Sequence, residues 1–139
     1  MGLASATVTD DLTPEAIADS ILRELVRCTR RRDLAGVLDL FVDDAALFGS
    51  DEGEFARGRA DVRDFLTTIF AESITYGWTW DEPVAGRRGD VVWFVAHGQA
   101  VLDGEGAPPA VPYRLSGVLL QVSGGWRFAL FNGAQPVAE

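Results

Sequence analysis

Apolar positions follow two rhythms along this chain, and the change of rhythm divides it. From Thr13 to Phe70 they recur every three or four residues, and from Ile74 onward they crowd into runs of strand length. Ile17, Ile21, Leu22, Leu25 and Val26 make one apolar helical face. In front of it, Thr13-Pro14-Glu15 supplies an N-cap, a proline for the first turn and an acid at the positive dipole end. The helix is expected to end at Arg30-Arg31-Arg32, where cations suit the dipole. No glycine loop accompanies these arginines to make a phosphate site. Asp33 caps a second, short helix over 34–41, with Leu34, Val37, Leu38 and Phe41 inward, and Asp43-Asp44 ends it. Ala46-Leu47-Phe48-Gly49 reads as a short strand and Ser50 to Glu54 as an acidic loop. A third helix over 60–72 turns Val62, Phe65, Leu66, Ile69 and Phe70 to one side.

Four strand-like runs follow, 74–85, 91–103, 111–123 and 125–133, joined by Gly-rich connections. Helices gathered ahead of strands predict an α+β fold with an antiparallel sheet. No repeat or linker interrupts the sequence. A frayed leader over 1–12 and one domain over 13–139 are expected.

Strand alternation splits 91–102 into two faces. Val91, Trp93, Val95, His97, Gln99 and Val101 mix large apolar groups with polar ones, as a ligand pocket would. Val92, Phe94, Ala96, Gly98, Ala100 and Leu102 form a smoother face, expected to pack against a second copy in a homodimer. In 111–121 both faces carry polar members, so its inward side stays open.

Composition narrows the partners. At 139 residues, 47% hydrophobic and 24% charged, the chain suits one globular domain. A net charge of -9 argues against nucleic acid or an anionic membrane as partner. Every basic residue is arginine, which excludes a Schiff-base lysine and a P-loop lysine. Cys28 sits at helical spacing on the first apolar face and reads as a small buried hydrophobe. One cysteine and one histidine leave no structural zinc set, and no metal or cofactor is expected. With no run of about 18 apolar residues and no signal-peptide pattern, a cytoplasmic protein is expected.

Several segments, taken in order over 14–136, carry a family likeness. They are Arg32-Asp33-Leu34, Leu38 to Ala45, Phe48-Gly49-Ser50-Asp51, Gly58-Arg59-Ala60-Asp61-Val62, Tyr113 to Leu119 and Gly125-Trp126-Arg127-Phe128. Together they resemble the NTF2-like superfamily and, within it, the SnoaL-like group. The resemblance implies a cystatin-like α+β barrel: a cone-shaped, curved antiparallel sheet wrapped around three helices, with a pocket at the open end. It also implies a dimer through the sheet's outer face. The superfamily holds isomerases, dehydratases, epoxide hydrolases, polyketide cyclases and non-catalytic binders, so the likeness implies no single reaction.

The candidate chemistry rests on few residues. His97, the sole histidine, suits a general base or a core histidine with a backbone partner. Arg114 suits a fork for a ligand carboxylate or oxyanion, or an ion pair with Asp44, Asp51 or Glu54. Asp51 is the candidate carboxylate at the pocket mouth, against a plainly solvated loop; Asp44 is the candidate buried acid. Phe48, Glu54, Trp80, Trp93, Tyr113 and Phe131 are the expected ligand-binding set. Trp78 and Trp126 are assigned mainly to packing, and Asn132 and Gln135 to turn and tail.

Two readings of function follow. One is a pocket for a small, largely apolar molecule with cofactor-independent acid/base chemistry of isomerase, dehydratase, cyclase or hydrolase type. The other is a non-catalytic ligand-binding or dimeric scaffold module. They are separated by whether His97, Arg114 and one of Asp44, Asp51 or Glu54 reach one cavity.

Overall fold

The computed structural model describes residues 12–108 and 110–137. Most of the expected leader therefore lies outside the described residues. The elements run α1 (Pro14–Arg30), α2 (Leu34–Leu38), β1 (Phe41–Phe48), β2 (Phe55–Arg57), α3 (Arg59–Phe70), β3 (Thr75–Trp80), β4 (Val84–Arg88), β5 (Val91–Asp103), β6 (Val111–Val122) and β7 (Gly125–Ala134).

Local chemistry starts the helices as expected. Thr13 accepts from the Ala16 N–H at 3.0 Å with Pro14 in the first turn, and Asp33 accepts from the Gly36 N–H at 2.9 Å. The second helix, however, stops at Leu38, and Phe41 already belongs to a strand that carries Asp43 and Asp44 outward into solvent. The cause is a remote partner. β1 lies parallel to β7, with Phe41 opposite Phe128 and, after a register shift, Ala46 opposite Leu130. The Phe128 N–H donates to the Leu40 carbonyl at 2.6 Å and anchors the start of this pairing.

The run 74–85 also breaks, at Asp81-Glu82-Pro83, into β3 and β4, both antiparallel to β5. A proline cannot donate to a strand ladder, and here it lies between the two strands. The sheet order is β2-β1-β7-β6-β5-β3, with β4 also on β5. It is thus a curved, mixed sheet of seven strands with the helices packed against it, neither wholly antiparallel nor closed into a barrel.

The core sits between the helices and the sheet. Ile17, Leu22 and Leu25 of α1 pack toward Val92, Phe94 and Ala96 of β5 and Leu115 and Leu119 of β6, all buried. Each such large apolar side chain contributes about 1.5–3 kcal/mol by leaving water. Phe41, Phe128 and Phe131 meet ring to ring, with centroids 5.2 Å apart for the first pair and 5.5 Å for the last. The two faces of β5 are therefore the reverse of the expectation. Val92, Phe94, Ala96 and Ala100, the expected dimer face, are buried inside, while Trp93 and Val95, each 46% exposed, lie outside. Ala96 and Ala100 face inward together with Phe94, one of the largest fully buried side chains.

Arg32 joins the helical layer to the sheet. It stands at a left-handed φ of 53°, and its guanidinium donates to the Phe70 carbonyl at 2.5 Å, the Glu72 carbonyl at 2.7 Å and the Thr75 hydroxyl at 3.0 Å. It thereby partners a carbonyl that the last turn of α3 leaves without an intrahelical donor. Among the described residues, no helix is long and apolar enough to cross a membrane.

Candidate functional site

A cavity of about 190 Å³ opens between the helices and the inner face of the sheet. Its walls are mostly hydrocarbon. Leu25 of α1, Val37 of α2 and Phe65, Leu66, Ile69 and Phe70 of α3 form one side. Phe41 and Leu47 of β1, Tyr76 and Trp78 of β3, Ala100 and Leu102 of β5, Tyr113 of β6 and Phe131 of β7 form the other. Space exists here because Ala100 lies directly across the ladder from Trp78, and an alanine there leaves the volume above it unfilled.

Few polar groups reach this space. Thr29 lines it, is 5% exposed, and its hydroxyl has no hydrogen-bond partner among the described residues. Tyr113 is 7% exposed, and its ring lies against Gly133, where a Cβ would fall 2.0 Å from the phenol oxygen. Burial pushes the Tyr113 phenol up to about 12; the charges of Glu54 and Asp51 add to this, and the nearby Ser50 hydroxyl pulls the other way. Tyr76 donates to Glu72 Oε2 at 2.7 Å, and this bond, then burial, also raises its phenol to about 12. At neutral pH both phenols are donors, not bases.

The acidic loop forms part of the mouth. The Asp51 N–H donates to Glu54 Oε1 at 2.8 Å, and the Gly49 N–H donates to the Glu54 carbonyl at 2.9 Å. Glu54 thus folds back over Gly49, and Asp51, Glu54 and the exposed Gln135 line the opening. Among the described residues, no three of His, Cys, Asp and Glu converge as a metal cage would require. The arrangement can hold an apolar body, donate hydrogen bonds to an oxygen from Tyr113 or Thr29, and present carboxylates at the rim.

The cavity brings together four residues anticipated from the sequence: Asp51, Glu54, Tyr113 and Phe131. It leaves out the others. His97 and Arg114 are exposed on the outer face of the sheet, directly opposite one another in the β5–β6 register. Arg114 makes no ion pair with Asp44, Asp51 or Glu54. Trp93 stands on that same face over Gly86, and Phe48, 47% exposed, pairs with Phe55 at 4.8 Å. Trp80 stacks on Trp78 at 6.1 Å but lines a separate groove against Asp19, Arg23 and Arg27 of α1. Its indole nitrogen is buried with no hydrogen-bond partner among the described residues. Asp44 is exposed and is not a buried acid.

Residues 18–137 match the profile of the SnoaL-like domain. The chain belongs to the SnoaL-like family. No curated protein matches it by sequence. Solved structures do match its fold. An NTF2-like protein of unknown function from Pseudomonas putida KT2440 is similar with a TM-score of 0.76 at 12% identity, covering 89% of this chain and 87% of its own. A provisionally named aromatic ring hydroxylase from Novosphingobium aromaticivorans gives 0.78 at 20% identity, covering 89% and 90%. A provisional dehydratase of the NTF2-like family from Streptomyces avermitilis gives 0.75 at 14% identity, covering 88% and 95%. These identities establish the fold of this SnoaL-like protein and leave its chemistry to its own residues.

Sequence reasoning did not single out Thr29 or Tyr76, and gave the apolar side of α3 and Trp78 to packing. One signal for them was available. Tyr76, Trp78 and Trp80 alternate along one strand face, so whatever face holds one holds all three.

Proposed function

We propose that this SnoaL-like protein binds a small, largely apolar molecule in the cavity between α3 and the inner sheet face. The observation that carries the reading is an apolar chamber whose lining includes Thr29, with a hydroxyl that has no partner among the described residues, and the protonated phenol of Tyr113. A cavity of about 150 Å³ holds benzene. At about 190 Å³, this one suits a single ring with a short chain. The test is calorimetry with monocyclic arenes bearing a hydroxyl or carbonyl, on the native protein and on Ala100→Leu. Leucine at position 100 fills the chamber, so binding should fall at least about tenfold while the protein stays folded. Equal binding to both proteins would move the ligand elsewhere and refute the reading.

If proton-transfer chemistry occurs here, Asp51 is the base and Tyr113 the donor to developing negative charge, with no cofactor. Asp51→Asn should then abolish turnover while leaving binding. The alternative, a non-catalytic binder or scaffold, is favoured by the position of His97 and Arg114 on the far side of the sheet from the cavity. A homodimer belongs to either reading, now through the outer face, where Trp93 and Val95 form an apolar patch. Val95→Asp should convert the particle to a monomer in light scattering; an unchanged mass would remove this face from the interface.

A further inference from the structure

We infer that the cavity selects an organic cation, a small aromatic or aliphatic amine, over the corresponding alcohol and over the acid. This rests on the reading of the cavity as a ligand site and adds the charge of the ligand's polar end. Two carboxylates, Asp51 and Glu54, line the mouth, and a third, Glu72, stands behind Tyr76. Glu54 Oε2 and both carboxylate oxygens of Asp51 accept no hydrogen bond from a described residue. Among the described residues, no arginine lines the cavity. Of the arginines near it, Arg32 spends its guanidinium on the Phe70 and Glu72 carbonyls and the Thr75 hydroxyl, and Arg30 lies against Gly77 of β3 without lining the cavity. Tyr76, Trp78 and Phe70 add aromatic faces, which attract a positive charge and repel a negative one.

Exposed carboxylate partners and aromatic faces each strengthen cation binding by a factor of about two to five. Together they predict an amine binding about tenfold tighter than its alcohol, and an acid weaker than the alcohol by a similar factor. The experiment is isothermal titration of the full chain with phenethylamine, phenethyl alcohol and phenylacetate, at low and high salt. The expected order is amine, alcohol, acid, with the amine's lead shrinking at high salt. In the double variant Asp51→Asn, Glu54→Gln, the ratio of amine to alcohol affinity should fall close to one. Equal affinities in the native protein, or an acid that binds tightest, would overturn the charge selectivity and leave the cavity as a site for neutral molecules. Failure of all three probes on folded protein would overturn both readings.

Discussion

The absence of lysine leaves the alkaline range open to a clean test of how deeply Tyr113 is set. Between the carboxylates and the arginines, only two tyrosines, one cysteine, the lone histidine and the chain terminus ionise. Tyr113 stands at about 12 in the fold, against about 10 in the unfolded chain. Its pKa is raised on folding, so its contribution is complete below pH about 10, where both states hold the phenol neutral. Above that, the unfolded chain ionises first, and stability falls by about 1.4 kcal/mol per pH unit until the folded phenol also ionises. Over the two units between about 10 and about 12 the loss approaches 3 kcal/mol. No large discount for solvent is needed, because Tyr113 is 7% exposed. Tyr76 shifts in the same direction through its bond to Glu72, but it is more exposed and contributes less. Cys28, raised chiefly by its burial, adds a loss of the same sign that is common to all variants. The assay is urea unfolding from pH 8 to about 12 on native, Tyr113→Phe and Tyr76→Phe proteins, with tyrosinate absorbance followed in parallel. Tyr113→Phe should flatten most of the alkaline decline. A decline unchanged by that substitution, or a phenolate signal from Tyr113 near pH 10 in the folded protein, would refute the placement of this ring.

Three further outcomes follow from the packing. Arg32→Ala removes a charged donor shared by two carbonyls and a hydroxyl, and should lower stability by about 2 kcal/mol in chemical unfolding. Gly98→Ala would set a Cβ 1.9 Å from the Thr79 carbonyl oxygen; the β3–β5 pair must then shift, at a cost of about 1–3 kcal/mol visible as a lower Tm. Arg59→Ala loses contacts to the exposed acids Asp39 at 3.3 Å and Asp43 at 3.9 Å and a long bond to the Phe41 carbonyl at 3.5 Å, and should cost about 1 kcal/mol by the same assay.

What the sequence disclosed was local, and what it withheld was remote. The first helix could be read because Thr13 and Pro14 act within their own turn, and the third because its apolar spacing needs no partner to be visible. The extended course of Phe41 to Ala45 could not be read, since only the parallel pairing with β7 makes a strand of it. Arg32 suited its own helix's dipole, yet its bonds reach the end of another helix. Of the site, the acidic loop and Tyr113 were visible as polar groups beside apolar runs. His97 and Arg114 gave the same kind of signal and pointed the wrong way, because a polar group within an apolar strand marks solvent as readily as it marks a ligand.

The reversed faces of β5 show which property does build a cavity in this fold. A concave sheet face already covered by helices has little space to give, and large side chains on it would simply complete the core. Room for a ligand arises where small residues stand opposite large ones: Ala100 across from Trp78, and Gly133 beneath the ring of Tyr113. Polar groups then enter from the edges of that space, from the loop that carries Asp51 and Glu54 and from Thr29 at the helix end. The smooth, small face of 91–102 was therefore the one to follow inward, and the mixed face with His97 the one to leave in water. By the same reasoning, residue volume at position 100 sets the size of molecule admitted, while charge at positions 51 and 54 sets its kind.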